Sequence, residues 1–430
     1  METLVSAYDN AWYHMEAPNN PMVVYSLSFL QTSPSKELLK QRILDNFVPY
    51  GDGRLHCTIA KTTDSKQKTL TYKPVGTLDM NYHLKFHELQ QGKQTELEEW
   101  IGSLMSKPLD SQHPLWQIYI IHNCQGIASH GEESVEDATC VLLARIHHCY
   151  ADGISHIRLL SSLFDGYQRN VNKPSDFSLP AKSDKNLVDK VAKSFQKINI
   201  SSLKFFHKKP EGIKKVTWLP SIPLIKIKQI GKALQATVND TLLSILAGAW
   251  RDYFLEKNID IEESLKLFLS IPVSIRPEEL ADDLGNLLGL YTLPLPIGVI
   301  DPKSRIAQIH RFMGKLKKSS QAIDFFHFLN SLGNESSERQ QEIWNSLSHK
   351  YAAVVSNIPG LQEEKTLGGI PILQQLFFPP CNNSIGITTG FLSYNGNLQI
   401  SLATDENIIA DPRQLADFFT KQITIHEEIS

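Results

Sequence analysis

The 430-residue sequence predicts a mixed α/β protein built in two lobes. Short apolar or alternating runs of strand character are interleaved with helical stretches in both halves of the chain. A chain of this length also exceeds what one hydrophobic core usually serves. With 41% hydrophobic and 21% charged residues, its composition is that of an ordinary globular protein.

The first strand is expected over 23–30, where Val-Val-Tyr-Ser-Leu-Ser-Phe-Leu joins an apolar start to clean alternation. Further strands are expected over 116–121 and 138–146, on either side of a polar insert, 123–137, that reads as a long hairpin loop. A helix follows over 154–164, with apolar residues at 154, 157, 160, 163 and 164. From about 165 to 216 the pattern loosens into a polar stretch with Pro174 and Pro180. This divides the chain into an N-terminal lobe, 1–170, a basic linker or crossover, 171–216, and a C-terminal lobe, 217–430. The second lobe opens with a helix over 238–254, and strands are expected at 265–271 and 398–403.

A net charge of −3 gives no global attraction to nucleic acid, so any basic surface must be local. One such surface lies within 187–216, where eight lysines accompany apolar residues at 187, 191, 195 and 198. A basic amphipathic helix of this kind can lie on an anionic membrane, or simply dock on its own protein. The five cysteines, at 57, 124, 140, 149 and 381, are scattered and odd in number, which suits reduced thiols in a cytoplasm. The N-terminus lacks the pattern of a secretory signal, and no run approaches the roughly 18 apolar residues of a membrane span. Lipid substrates would therefore be met at a surface.

The residues that carry chemistry stand at the end of the strand over 138–146: His147-His148-Cys149-Tyr150-Ala151-Asp152-Gly153. A strand-to-helix turn holds functional groups on rigid supports. If the strand runs through both histidines they point to opposite faces, so only one enters a given site. A neutral imidazole can take the proton of an attacking alcohol and return it to the leaving group. Asp152 would either orient an imidazole or brace the turn through a buried salt bridge. Asp-Gly is a common turn pair, Gly153 tolerating dihedrals that aspartate cannot. Each piece alone is ordinary, but the combined pattern should arise by chance on the order of once per thousand such chains. No His-Glu-x-x-His or Cys/His ligand set supports a zinc site.

The His-His-x-x-x-Asp-Gly run resembles the motif of the CoA-dependent acyltransferase superfamily. Further stretches are similar to the bacterial wax ester synthase/diacylglycerol acyltransferase family: Asp9 through Glu16 with Pro21-Met22; Pro108-Leu109-Asp110 with Pro114-Leu115-Trp116; Asn239-Asp240; Pro272 through Pro277 with Gly285-Asn286; and Ser356-Asn357-Ile358-Pro359-Gly360. The resemblance spans almost the whole chain in the expected order. It implies two chloramphenicol-acetyltransferase-like lobes with an active-site tunnel between them. Acyl-CoA would enter as co-substrate from one side, and a fatty alcohol or diacylglycerol from the other. No metal or redox cofactor is implied, and the protein would be cytoplasmic, associated peripherally with a membrane or lipid droplets.

By the same resemblance His148 is the base, His147 its support and Asp152 mainly structural, with Arg276 as its salt-bridge partner. Asn239 would donate to the developing oxyanion. Asp240 reads first as a helix cap with Thr237. Glu16 is placed near the active centre, although an exposed surface acid is equally ordinary. Gly285-Asn286 and the Ser356–Gly360 turn would form channel walls, Trp116 core packing, and Tyr150 a narrowing of the channel mouth. Cys149, following His148 directly, should point away from it, so direct transfer is expected rather than a covalent acyl-enzyme. Two alternatives remain open: an acyltransferase for a polyketide- or peptide-like acceptor, and an inactive lipid-binding relative.

Overall fold

The structure is a computed structural model describing residues 3–61, 70–124, 127, 138–168, 188–189, 191, 205, 208–280, 282–381 and 384–430. Most of the 123–137 insert and of the basic segment therefore lies outside the described residues, including Lys190, Lys193, Lys197 and Lys204.

Sixteen strands are described, β1 (Thr3–Leu4), β2 (Val23–Leu30), β3 (Cys57–Lys61), β4 (Leu70–Pro74), β5 (Leu84–Glu88), β6 (Trp116–His122), β7 (Cys140–His147), β8 (Lys214–Trp218), β9 (Ile222–Pro223), β10 (Leu267–Ser274), β11 (Leu288–Leu295), β12 (Ala353–Ile358), β13 (Thr366–Leu367), β14 (Ile370–Phe378), β15 (Ile387–Tyr394) and β16 (Asn397–Asp405). They form two large mixed sheets and a small one. The N-terminal sheet runs β13-β14-β2-β7-β6-β5, and the C-terminal sheet runs β11-β10-β12-β15-β16-β8, with β9 also on β16. Both sheets are covered by helices, and every residue of β2 and β7 is buried. That is why 23–30 could carry serines at alternate positions and still be a central strand: Ser26 and Ser28 find partners in His156 and Gln375.

A strand exchange ties together the two lobes expected from sequence. Residues 366–378, far inside the stretch assigned to the C-terminal lobe, cross over and pair with β2 of the N-terminal sheet, Phe378 opposite Tyr25 and Gln375 opposite Ser28. Without β14 the outer edge of β2 would be a row of unpaired backbone groups. The linker also ends early, since β8 begins at Lys214 and pairs with β16. Its Lys214 is buried, bonded to Asn20 and 3.1 Å from Asp405, and Lys215 pairs with Glu406 at 3.1 Å. These two lysines of the basic segment are thus engaged within the protein.

One core follows the C-terminal sheet and its helices. The other fills the N-terminal lobe but continues across the interface through Leu288, Leu290, Phe325 and Trp344. A third, small cluster of Val24, Ile157, Ile358, Phe377 and Leu392 lies at the seam where β2, the motif helix (Gly153–Ser161), β12, β14 and β15 meet. The functional cavity opens beside it. Among the described residues, no helix is long and apolar enough to cross a membrane.

Candidate active site

The seven-residue motif folds as a strand end, a turn and a helix start. β7 finishes at His147, whose N–H donates to the Leu115 carbonyl, while the His148 N–H donates to the Met22 carbonyl at 2.7 Å. The two imidazoles part company here. His147 is buried, accepting the Cys149 N–H at Nδ1 over 3.1 Å, which leaves its Nε2–H facing Glu16 Oε2 at 3.4 Å. His148 lines a concave, mostly apolar pocket between the lobes, the usual setting of a small-molecule site.

His148 is 8% exposed, and its ring stacks on Trp12 with centroids 4.2 Å apart and planes 14° from parallel. Trp12 comes from the N-terminal helix (Ala7–His14), capped by Ser6. Burial lowers the His148 pKa to about 4, outweighing the ring's interaction with its own carbonyl and the distant charge of Asp152. The imidazole is therefore neutral at pH 7. Its Nδ1 is buried, and among the described residues it has no hydrogen-bond partner from another residue.

Asn286 fixes the backbone beneath this ring. Its amide donates to the His148 carbonyl and to Asp9 Oδ1, both at 2.8 Å. Asp9 is buried in turn, and that burial raises its pKa against the opposing bonds from Asn286 and Ser6. Asn286 thus acts under the histidine rather than as a wall of the pocket.

Asp152 is the N-cap of the motif helix: its Oδ1 accepts the Ser155 N–H at 2.9 Å. Its Oδ2 accepts the Leu287 N–H and one Arg276 nitrogen, each at 2.9 Å. Arg276 also donates to Ser155 Oγ and to the carbonyls of Gly285, Leu280 and Asp283. The pair's side chains are only 3% and 4% exposed. This is a brace between the lobes, with no hydrogen bond from Asp152 to either motif histidine. Gly153 differs from the turn argument: its φ is not among the positive ones. Close approach favours the glycine instead: a Cβ there would stand 2.3 Å from Ile358 Cδ1, and that buried methyl would have to shift.

Glu16 accepts the Met22 N–H at 3.0 Å as well as facing His147. Burial, the largest single influence on its carboxyl, pushes the pKa up, but His147, the Met22 N–H and Arg145 together hold it below its ordinary value. Asp240 completes a capping box with Thr237 and also meets His310 Nδ1 at 2.8 Å. Asn239 is not brought to the pocket. Its side-chain oxygen accepts from Asn357 at 3.4 Å, on the face of β12 opposite the pocket-lining Val354 and Ser356; alternation along that strand separates them. Tyr150 does not narrow a channel either: its hydroxyl donates to the Cys57 carbonyl at 3.0 Å in the core. Trp116 is core, as its apolar context suggested, with its indole N–H on the Leu55 carbonyl. Cys149 is buried, outside the pocket lining, and burial pushes its thiol far up.

The remaining lining is mostly apolar, from Met22 and Val24 on one lobe to Leu288, Phe325 and Trp344 on the other, with hydroxyls from Ser270 and Ser356. Among the described residues no group of three or more His, Cys, Asp or Glu could hold a metal ion. The sequence signal for Trp12 was present but unused: Tyr8, Trp12 and Met15 recur at helical spacing.

Two family models cover this architecture: the wax ester synthase/diacylglycerol acyltransferase catalytic domain matches residues 5–217, and the WS/DGAT C-terminal domain matches 284–426. The chain belongs to the wax ester synthase/diacylglycerol acyltransferase family. Its members are acyltransferases, and the whole His147–Gly153 motif stands within the first matched region. A Mycobacterium tuberculosis protein named as a diacylglycerol O-acyltransferase is 23% identical over 96% of this chain and 94% of its own length. A second from that organism is 28% identical over 56% of this chain and 57% of its own. In fold, the chain is similar to the wax ester synthase/diacylglycerol acyltransferase of Marinobacter aquaeolei VT8, with a TM-score of 0.69 at 18% identity over 99% of both chains. It is also similar to the trichothecene 15-O-acetyltransferase of Fusarium sporotrichioides, with a TM-score of 0.63 at 12% identity over 99% and 95%. The two-lobed acyltransferase fold expected from the motif is the fold observed.

Proposed function

We propose that this chain moves a long-chain fatty acyl group from acyl-CoA to the hydroxyl of a fatty alcohol, a diacylglycerol or both, with His148 as general base. The observation that carries the reading is a neutral imidazole, clamped between an indole and an amide-anchored backbone, at the seam of two lobes in a mostly apolar pocket. With both substrates held there, the alcohol proton passes to the imidazole as the oxygen attacks the thioester carbonyl. Collapse of the tetrahedral intermediate breaks the C–S bond, and the imidazolium proton goes to the departing thiolate. The buried Cys149 thiol, outside the lining, has no part in this route. His147 and Glu16 hold the strand end, and Asp152 with Arg276 holds the helix start, so the base sits between two fixed points.

Substrates of this kind reside in membranes and lipid droplets, and the protein would meet them there as a peripheral, cytoplasmic enzyme. Thiol release from palmitoyl-CoA with hexadecanol tests the chemistry: the wild type should turn over, and His148→Ala should lose nearly all activity. Undiminished release by the variant would sink the mechanism. A competition between hexadecanol and diacylglycerol ranks the acceptors.

A further inference from the structure

The pocket around His148 shares part of its lining with a second cavity. A second cleft, open to solvent, lies where the helix Pro302–Lys317 finishes and the helix Gln321–Leu332 begins; Lys315, Leu316 and Gln321 stand on its sides. Leu290 and Phe325 line this cleft and the His148 pocket alike. We propose that Phe325, backed by Leu290, is the end wall that limits the length of the linear alkyl chain held in the His148 pocket. This rests on the acyl-transfer reading above.

The elements that carry Phe325 and His148 are tied together by close contacts. Gly289, next to Leu290, lies so near the helix Gln321–Leu332 that a Cβ there would be 2.2 Å from the Ala322 carbonyl oxygen. That contact presses the helix onto β11 just where the wall stands. One residue beyond Phe325, Phe326 stacks on Tyr8, with centroids 4.4 Å apart and planes at 26°. Tyr8 belongs to the same N-terminal helix as Trp12, which stacks on His148. Base and wall are therefore both referenced to one short helix, and the span between them is set by aromatic contacts. Phe325 is itself buried against Phe328, with centroids 5.7 Å apart. Beyond its ring lies the open cleft, so trimming the ring joins two spaces and gives a chain somewhere to go.

The test is a pair of chain-length series on the full-length protein. One varies saturated acyl-CoAs with hexadecanol constant, and the other varies n-alcohols with palmitoyl-CoA constant. In the wild type, kcat/KM should fall steeply beyond a limiting length in one series, by about 10-fold or more per added methylene. Phe325→Ala and Phe325→Leu should move that limit to longer chains, and Phe325→Trp to shorter ones, in the same series. The series that shifts identifies whether the donor or the acceptor chain runs toward Phe325. If the variants turn over with length profiles parallel to the wild type in both series, Phe325 is core packing and the proposal is overturned while acyl transfer stands. If the wild type turns over no pair at all, acyl transfer falls and the end wall with it. Should the alanine variant fail to fold, the leucine and tryptophan variants still carry opposite expectations.

Discussion

Replacing Arg276 by methionine keeps most of the side chain's length and apolar stem but removes the cation and five hydrogen bonds, to Asp152, Ser155, Leu280, Asp283 and Gly285. The Asp152 carboxylate would stay buried with its Ser155 and Leu287 N–H donors but without its counter-charge. Removing one partner of a buried pair costs about 3–5 kcal/mol, a large share of the roughly 5–15 kcal/mol typical of a native domain. For a chain of this length each kcal/mol is worth about 1–2 °C by scaling the usual per-residue entropy, so the midpoint should fall by about 3–10 °C. Asp152→Asn keeps an acceptor for the Ser155 N–H, and combining it with Arg276→Met removes the orphaned charge. The double variant should therefore lose less than the sum of the single losses. Thermal unfolding by circular dichroism gives the midpoints, and thiol release well below them gives turnover. An unchanged midpoint with abolished turnover would falsify the brace and place Arg276 in the chemistry.

Three further outcomes follow from the same geometry. Because burial lowers the His148 pKa to about 4, its base form persists in mild acid, and the acid limb of kcat/KM should fall near pH 4; a limb at pH 6–7 would contradict the buried, neutral base. His83, His148 and His426 are lowered by burial to about 4 and His156 to about 3, so each takes up a proton on unfolding once the pH is below its ordinary value of 6.5. The unfolded chain then binds more protons, so the stability these histidines contribute is complete above pH 6.5 and declines toward pH 4, by up to about 1.4 kcal/mol per pH unit for each. Urea unfolding across this window should show the decline, and a flat profile would count against it. Gly153→Ala puts a methyl 2.3 Å from Ile358 Cδ1 and should cost about 1–3 kcal/mol by overpacking. Adding Ile358→Val removes that carbon and should restore much of the loss in the same unfolding assay; no recovery would mean that the strain lies in the backbone.

Much of the site could be read locally, because its central piece is contiguous. The strand, the two histidines, the aspartate cap and the helix follow one another, and alternation sufficed to send His147 and His148 to different surroundings. The Thr237–Asp240 box was legible for the same reason: its two partners are three residues apart. Resemblance reached further, pairing Arg276 with Asp152 across the lobes, which no spacing rule could do. What escaped was long-range. Asn286 under His148 depends on a lobe interface, and Trp12 stacked upon that ring on a long-range contact within the first lobe; a single sequence displays neither. Asn239 meets the face of β12 that carries Asn357, and which face of a strand a helix start meets is not displayed by a single sequence. The strand β14 was missed because its Gln374-Gln375 pair interrupts the apolar run; both glutamines are buried and bonded, to Gln399 and Ser28.

The crossing of β14 into the N-terminal sheet also has a consequence in time. On the ribosome β2 emerges first, and its neighbour β7 follows, but the strand that covers its other edge emerges roughly 350 residues after it. At about 5–20 residues per second that delay is roughly 20–70 s. Through that interval a nascent chain can build β2, β7 and β6 into a sheet while one long apolar edge stays bare, open to pairing with the wrong strand of the same or another chain. The topology that welds the two lobes around the base in the finished protein therefore makes the first lobe dependent, during synthesis, on a strand translated roughly 350 residues after β2.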